Sequence, residues 1–189
     1  ATVSSAGLIT AKADGTATIT ATSGSASKTA TVTVSQAVAS VTLSPTSLTL
    51  TSVADTATLT ATVKDGGGTT ISNPTIEWAT SNSAVVTVTS AGLVSAVANG
   101  TATVTATSGS VSKAVIATVN QAAASVTLSP TSLTLTSVDD TASFTATVKD
   151  ANSNTISGAT VTWATSSSSV ATVSSAGLVT AKADGTATI

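Results

Sequence analysis

The sequence predicts an all-β protein built of tandem antiparallel two-sheet sandwiches, with no helices. Three observations carry that prediction. First, a block recurs with a period of about 85 residues: ASVTLSPTSLTLTSV stands at Ala39–Val53 and again, unchanged, at Ala124–Val138. Such a period is too long for a turn of a solenoid and suits a small sandwich. Second, apolar residues alternate with Thr in short runs, the signature of half-buried strands. Third, turn-forming residues separate these runs at short intervals, and nothing follows the spacing of an amphipathic helix.

The repeat divides the chain. Trp78 and Trp163 keep the same spacing, as do Gly92 and Gly177 in S-A-G-L-V, and Gly100 and Gly185 in [ND]-G-T-A-T. The expected domains are residues 1–38, the C-terminal part of one repeat; residues 39–123, a complete repeat; and residues 124–189, most of a further repeat without its last strand. The opening Ala1–Ile19 returns at Ala171–Ile189 with one change, Ile9 to Val179. Lys12, Asp14 and Ile19 match Lys182, Asp184 and Ile189, whereas the middle repeat has Val97, Asn99 and Val104, so two repeat types alternate. Both ends read as cuts through a longer array, with the missing strand supplied by a continuation resembling Thr20–Val38. The other source for that strand is a neighbouring subunit, by strand addition.

Within one repeat, Thr56–Lys64 alternates strictly, with Ala57, Leu59, Ala61 and Val63 on the inner face and Thr on the wet face. Gly100–Ser108 repeats the pattern with Ala102, Val104 and Ala106 inward. Further strands are expected at Val41–Leu43, Leu48–Thr51, Thr75–Thr80, Val85–Val88, Leu93–Val97 and Val115–Val119. Breakers fall between them at Pro45, Lys64–Gly68, Gly92, Asn99-Gly100 and Gly109. Asn99-Gly100 has the composition of a two-residue hairpin turn, in which both residues take positive φ; Asp14-Gly15 and Asp184-Gly185 stand at the same place. Gly15, Gly92, Gly100, Gly177 and Gly185 are the expected turn glycines. Trp78 and Trp163 are expected at the centre of their cores, because a ring burying roughly 150–250 Å² matters greatly among Ala, Val and Leu.

Composition excludes much chemistry. Charged residues make up only 7% of the chain and the net charge is −2, so there is no basic footprint for nucleic acid or anionic lipid. Cys and His are absent, which removes thiolate nucleophiles, imidazole bases and soft-metal sites. Ser and Thr abound, but a nucleophile needs a base and none stands out. No apolar run is long enough for a membrane-spanning helix, so no membrane insertion is expected in this segment. Calcium needs six to eight oxygen ligands. Asp139-Asp140 is the one acidic pair, its counterpart is Ala54-Asp55, and no D-x-D-x-D-G loop occurs. No cofactor, metal site or catalytic residue is therefore expected. Asn99-Gly100-Thr101 fits the N-glycosylation pattern, but the turn already accounts for it.

The order V-T-L-S-P-T-S-L-T-L-T, then Trp followed by S-x-S-x-V-x-T-V, then G-L-V-x-A-x-A-x-G-T-A-T-[VI]-T-A, resembles the group 2 bacterial immunoglobulin-like domain. The resemblance covers each repeat nearly end to end, most specifically Val85–Ala106 and Val170–Ile189. It implies Ig-like sandwiches strung in tandem on bacterial surface proteins, usually as stalks or spacers, with no catalytic residues. The expected function is a non-enzymatic structural segment of a long extracellular fibre, stalk or filament at a bacterial cell surface. Its partners are then neighbouring repeats and, in a fibre, identical chains. Short links such as Ser35-Gln36-Ala37-Val38, without Gly or Pro, favour a semi-rigid rod. The alternatives are ligand-binding adhesin domains, or accessory domains of a secreted enzyme or phage virion protein.

Overall fold

The computed structural model describes residues 1–189 and contains strands and turns without a helix. The chain opens with a short ladder, β1 (Thr2–Val3) against β2 (Ile9–Thr10), and a long hairpin, β3 (Gly15–Ser23) against β4 (Ala26–Val34). Gly24 (φ 58°) opens the two-residue loop of that hairpin, the place where such loops favour glycine.

The middle repeat forms a two-layer sandwich. One layer pairs β5 (Val38–Ser44) with β8 (Thr60–Asp65), and carries a sheet in the order β7 (Thr56–Thr58), β11 (Leu93–Ala96), β10 (Val86–Val88). The facing sheet runs in the order β6 (Ser47–Leu50), β13 (Val111–Val119), β12 (Gly100–Ser108), β9 (Glu77–Thr80). All its pairings are antiparallel except β6–β13, which is parallel. The alternation Thr56–Lys64 holds in its facing: Leu59 and Val63 are buried while Thr56, Thr58 and Thr60 are exposed. The run is not one strand, however, because it changes partner at Leu59, from β11 to β5. Leu59, Val63, Val86, Val94, Val104 and Val119 form the fully buried centre of the core. All but Leu59, which stands at the step between β7 and β8, sit on the apolar phase of their strands, as period-two packing demands.

The third repeat forms β14 (Ser125–Ser129) against β16 (Thr145–Lys149), and the sheet β15 (Thr141–Ser143), β18 (Leu178–Ala181), β17 (Ala171–Val173). Residues 132–135 and 162–165, the counterparts of β6 and β9, carry no ladder. In the middle repeat both of those strands bond to the β12–β13 hairpin. A cavity of about 610 Å³ opens in that flank, lined by Leu133, Leu135, Phe144, Val179 and Ile189 among others. Phe144 stands where the middle repeat has Leu59, and its ring stacks on Trp163 with centroids 6.3 Å apart.

One turn expectation needs correction. Of the pair Asn99-Gly100, only Gly100 has positive φ (146°), and the same is true of Gly15 and Gly185 in their pairs. The two residues do not close a hairpin, because β11 and β12 belong to opposite sheets and the chain crosses between layers there. The two-residue hairpin loop of this repeat is instead at Gly109 (φ 57°), between β12 and β13.

Candidate functional site at the junction between repeats

The two tryptophans sit at the margin of their cores, half-buried, rather than at the centre. Trp78 is on β9, the edge strand of its sheet, so its ring covers the flank of the sandwich. Gly92 (φ 80°) lies against it: a Cβ there would stand 2.4 Å from the Leu59 carbonyl oxygen and 2.9 Å from Trp78 Cζ2. Gly177 has the same relation to Phe144 and Trp163. Close approach explains these two glycines as much as turning does. None of the residues singled out by the sequence gathers into a reactive cluster, and no three acidic side chains converge where a metal could sit.

The polar side chains that do converge lie between repeats. The linker after β13 is stitched to both neighbours: Asn120 and Ala122 donate backbone N–H bonds to the carbonyls of Leu50 and Thr51 (2.9 and 2.8 Å), and Ala124 donates to Lys149 (2.8 Å). At the end of β16 the chain turns through Asp150–Asn154, and Asp150 is 2% exposed. Its Oδ1 accepts the backbone N–H groups of Asn152 (3.0 Å) and Asn154 (2.8 Å), which shapes the turn. Its Oδ2 accepts Nε2 of Gln121 in the linker (2.9 Å) and the backbone N–H of Val53 in the preceding repeat (2.9 Å).

Two amides complete the joint. Asn152 Nδ2 donates to the Val53 carbonyl (2.9 Å) and to Asp55 Oδ1 (3.0 Å), and Asn154 Nδ2 donates to the same carbonyl (3.0 Å). Asp55 is itself held in place, its Oδ2 accepting the N–H groups of Thr51 (3.0 Å) and Ser52 (2.8 Å). Both polar groups of the Val53 peptide are thus taken by the next repeat. Burial pushes the Asp150 carboxyl up, but the bonds from Gln121, Asn154 and Val53 outweigh it and hold the group below its ordinary value. Every buried side-chain nitrogen and oxygen has a partner, which makes the joint a satisfied network rather than a reactive one.

The junction before the middle repeat uses the same linker contact. Gln36 Nε2 donates to Asp65 Oδ2 (2.8 Å), and Asp65 Oδ1 accepts the N–H groups of Gly67 (3.0 Å) and Thr69 (2.8 Å). The bond from Gln36, then that from Thr69, hold the Asp65 carboxyl low. Asn99 and Asp14 also serve the linkers, accepting the N–H groups of Gln121 (2.8 Å) and Gln36 (2.6 Å). Sequence reasoning missed Gln121, Asp150, Asn152 and Asn154. Gln and Asp recur at matching places in both copies, and that recurrence was the one available signal.

Comparison with known proteins follows the same lines. A family model described as bacterial Ig-like domain (group 2) matches residues 1–34, 37–119 and 122–189. No curated protein sequence is similar enough to count as a match. Among solved structures, the S-layer protein rSbsC is 22% identical with a TM-score of 0.44, over 91% of this chain and 24% of that one. Domains 4 and 5 of the S-layer protein SbsC are 24% identical with a TM-score of 0.42, over 63% of this chain and 64% of that one. The chain thus spans about a quarter of the first of these structures. The family match extends over nearly all of the sequence, and the sandwich with its recurring Trp, Gly and strand pattern is the fold that match describes. The chain belongs to the bacterial Ig-like domain (group 2) family.

Proposed function

We propose that this chain is a non-enzymatic structural segment of a long extracellular fibre, stalk or filament at a bacterial cell surface. Its units are the C-terminal part of one Ig-like domain (residues 1–38), a complete domain (39–123) and most of a third (124–189). Trp78 and Trp163 anchor the flanks of their cores, and neighbouring repeats are each other's main partners. The observation that carries this reading is the junction: a buried carboxylate, Asp150, bonded at once to its own turn, to the linker and to the preceding repeat. Such a joint orients one domain on the next, which is the task of a spacer. Domains joined only by a floppy linker would move independently.

The experiment has two parts. Small-angle scattering of the chain should give an elongated particle with one dominant shape. Protease treatment of intact cells producing the protein, followed by antibody detection, should remove it from the outside. A compact, collapsed particle would overturn the spacer role, and full protection in intact cells would overturn the surface location.

A further inference from the structure

The two junctions in this chain are entered by different loops. Asp65-Gly66-Gly67-Gly68-Thr69 in the middle repeat stands where the third repeat has Asp150-Ala151-Asn152-Ser153-Asn154. Both loops are shaped alike, by an Asp that accepts two backbone N–H groups of its own turn and one amide from the linker Gln. They differ in what they can offer to the repeat before them. Asn152 and Asn154 send two side-chain amides to the Val53 carbonyl and to Asp55. Gly67 has no side chain, and the hydroxyl of Thr69 is shorter than an asparagine amide.

Backbone conformation points the same way. Gly68 has φ 81°, and Ser153 keeps φ 65° at the matching place, where a non-glycine residue is disfavoured. The receiving loops differ too. Ala54 turns the chain between Val53 and Asp55, whereas its counterpart Asp139 is paired with Lys182 at 3.1 Å, and the middle repeat has Val97 in the place of that lysine. The two repeat types are therefore distinct at both faces that meet at a joint.

We propose that Asn152 and Asn154 are specificity residues of a matched joint. The Val53–Asp55 loop receives a following repeat that carries Asp-x-Asn-x-Asn and fixes its angle. A repeat that enters with Asp-Gly-Gly-Gly-Thr lacks those two side-chain amides and swings more freely. Where the two types alternate, stiff and compliant joints alternate. The alternation rests on the tandem-array reading above; the stiffness of the joint between the middle and third repeats does not.

The test uses the whole chain, which has no cysteine of its own. Ser83→Cys and Ser168→Cys, exposed and at matching places in the two repeats, take spin labels, and dipolar spectroscopy reads the distance between them. The labelled chain should give one narrow distance distribution. Asn152→Gly with Asn154→Thr, which installs the side chains of the other loop, should broaden it into several populations. Hydrogen exchange at the Val53 N–H gives a second measure and should quicken in the same variant, while the Val104 N–H in the sandwich keeps its rate and shows that the fold is intact. An unchanged distribution together with unchanged Val53 exchange would overturn the proposal. Failure of the cell-surface experiment would leave these distances untouched, so the two readings fail separately.

Discussion

Replacing Gly92 by Ala should cost the middle repeat about 2–5 kcal/mol, far more than one methyl group normally does. The number has two parts. At φ 80° an L-residue pays roughly 1–2 kcal/mol for the left-handed conformation. The new Cβ would also stand 2.4 Å from the Leu59 carbonyl oxygen and 2.9 Å from the Trp78 ring. Leu59 N–H donates to the Gly92 carbonyl at 2.9 Å, so that backbone cannot withdraw without losing the bond, and overpacking of this kind costs about 1–3 kcal/mol. Urea unfolding followed by fluorescence measures the loss, in a Trp163→Phe background where Trp78 alone reports. Gly66→Ala is the control, because nothing lies within 4 Å of the added Cβ and its φ is not positive. Its effect should stay within about 1 kcal/mol. A loss below about 1 kcal/mol at Gly92, or equal losses at both glycines, would refute the close-packing argument.

Trp78→Ala should destabilise the same repeat by about 3 kcal/mol, the low end for tryptophan truncation because the ring is only half-buried; equilibrium unfolding of the chain checks it. Acid should loosen the joint. The Asp150 carboxyl is held below its ordinary value near 3.8, so its contribution is fully present above that pH and is lost as pH falls through the lower folded value. Asp150→Asn should flatten that acid limb in Val53 hydrogen exchange, and an unchanged limb would contradict the assignment. Excess EDTA should leave thermal melting unchanged, since the oxygens of Asp150 are already occupied by N–H donors; a large drop would reveal a bound cation. Lys182→Ala should shift stability by less than about 1 kcal/mol, because its pair with Asp139 is exposed to solvent.

The strands were legible because burial on one face leaves a period-two trace, and Thr56–Lys64 and Gly100–Ser108 carried it without interruption. What that trace lacks is partner identity. Nothing in TATLTATVK marks Leu59 as the residue where pairing passes from β11 to β5. Asn99-Gly100 misled for a related reason: turn composition is local, while the choice between closing a hairpin and crossing to the other sheet is made by the whole sandwich. The tryptophans were legible as core-lining residues, but their place on an edge strand depends on strand order. The junction was hidden most fully. Its donors and acceptors, Val53 and Asn154, are about a hundred residues apart, and each looks like an ordinary loop residue alone.

The parallel pairing of β6 with β13 has a mechanical consequence. Ser47–Leu50 faces Ile116–Val119 in register, and these strands stand near the entry and exit of the repeat. Tension along the chain pulls them in opposite directions along their own length. The ladder is then loaded in shear, so its bonds, with those from Asn120 and Ala122 to Leu50 and Thr51, share the load at once. An antiparallel hairpin pulled at its open end would unzip one bond at a time. Pulling a single chain by its termini should therefore give a high, brittle rupture force for the middle repeat, and a low force with gradual extension would contradict the shear geometry. A rod of such units yields abruptly rather than creeping.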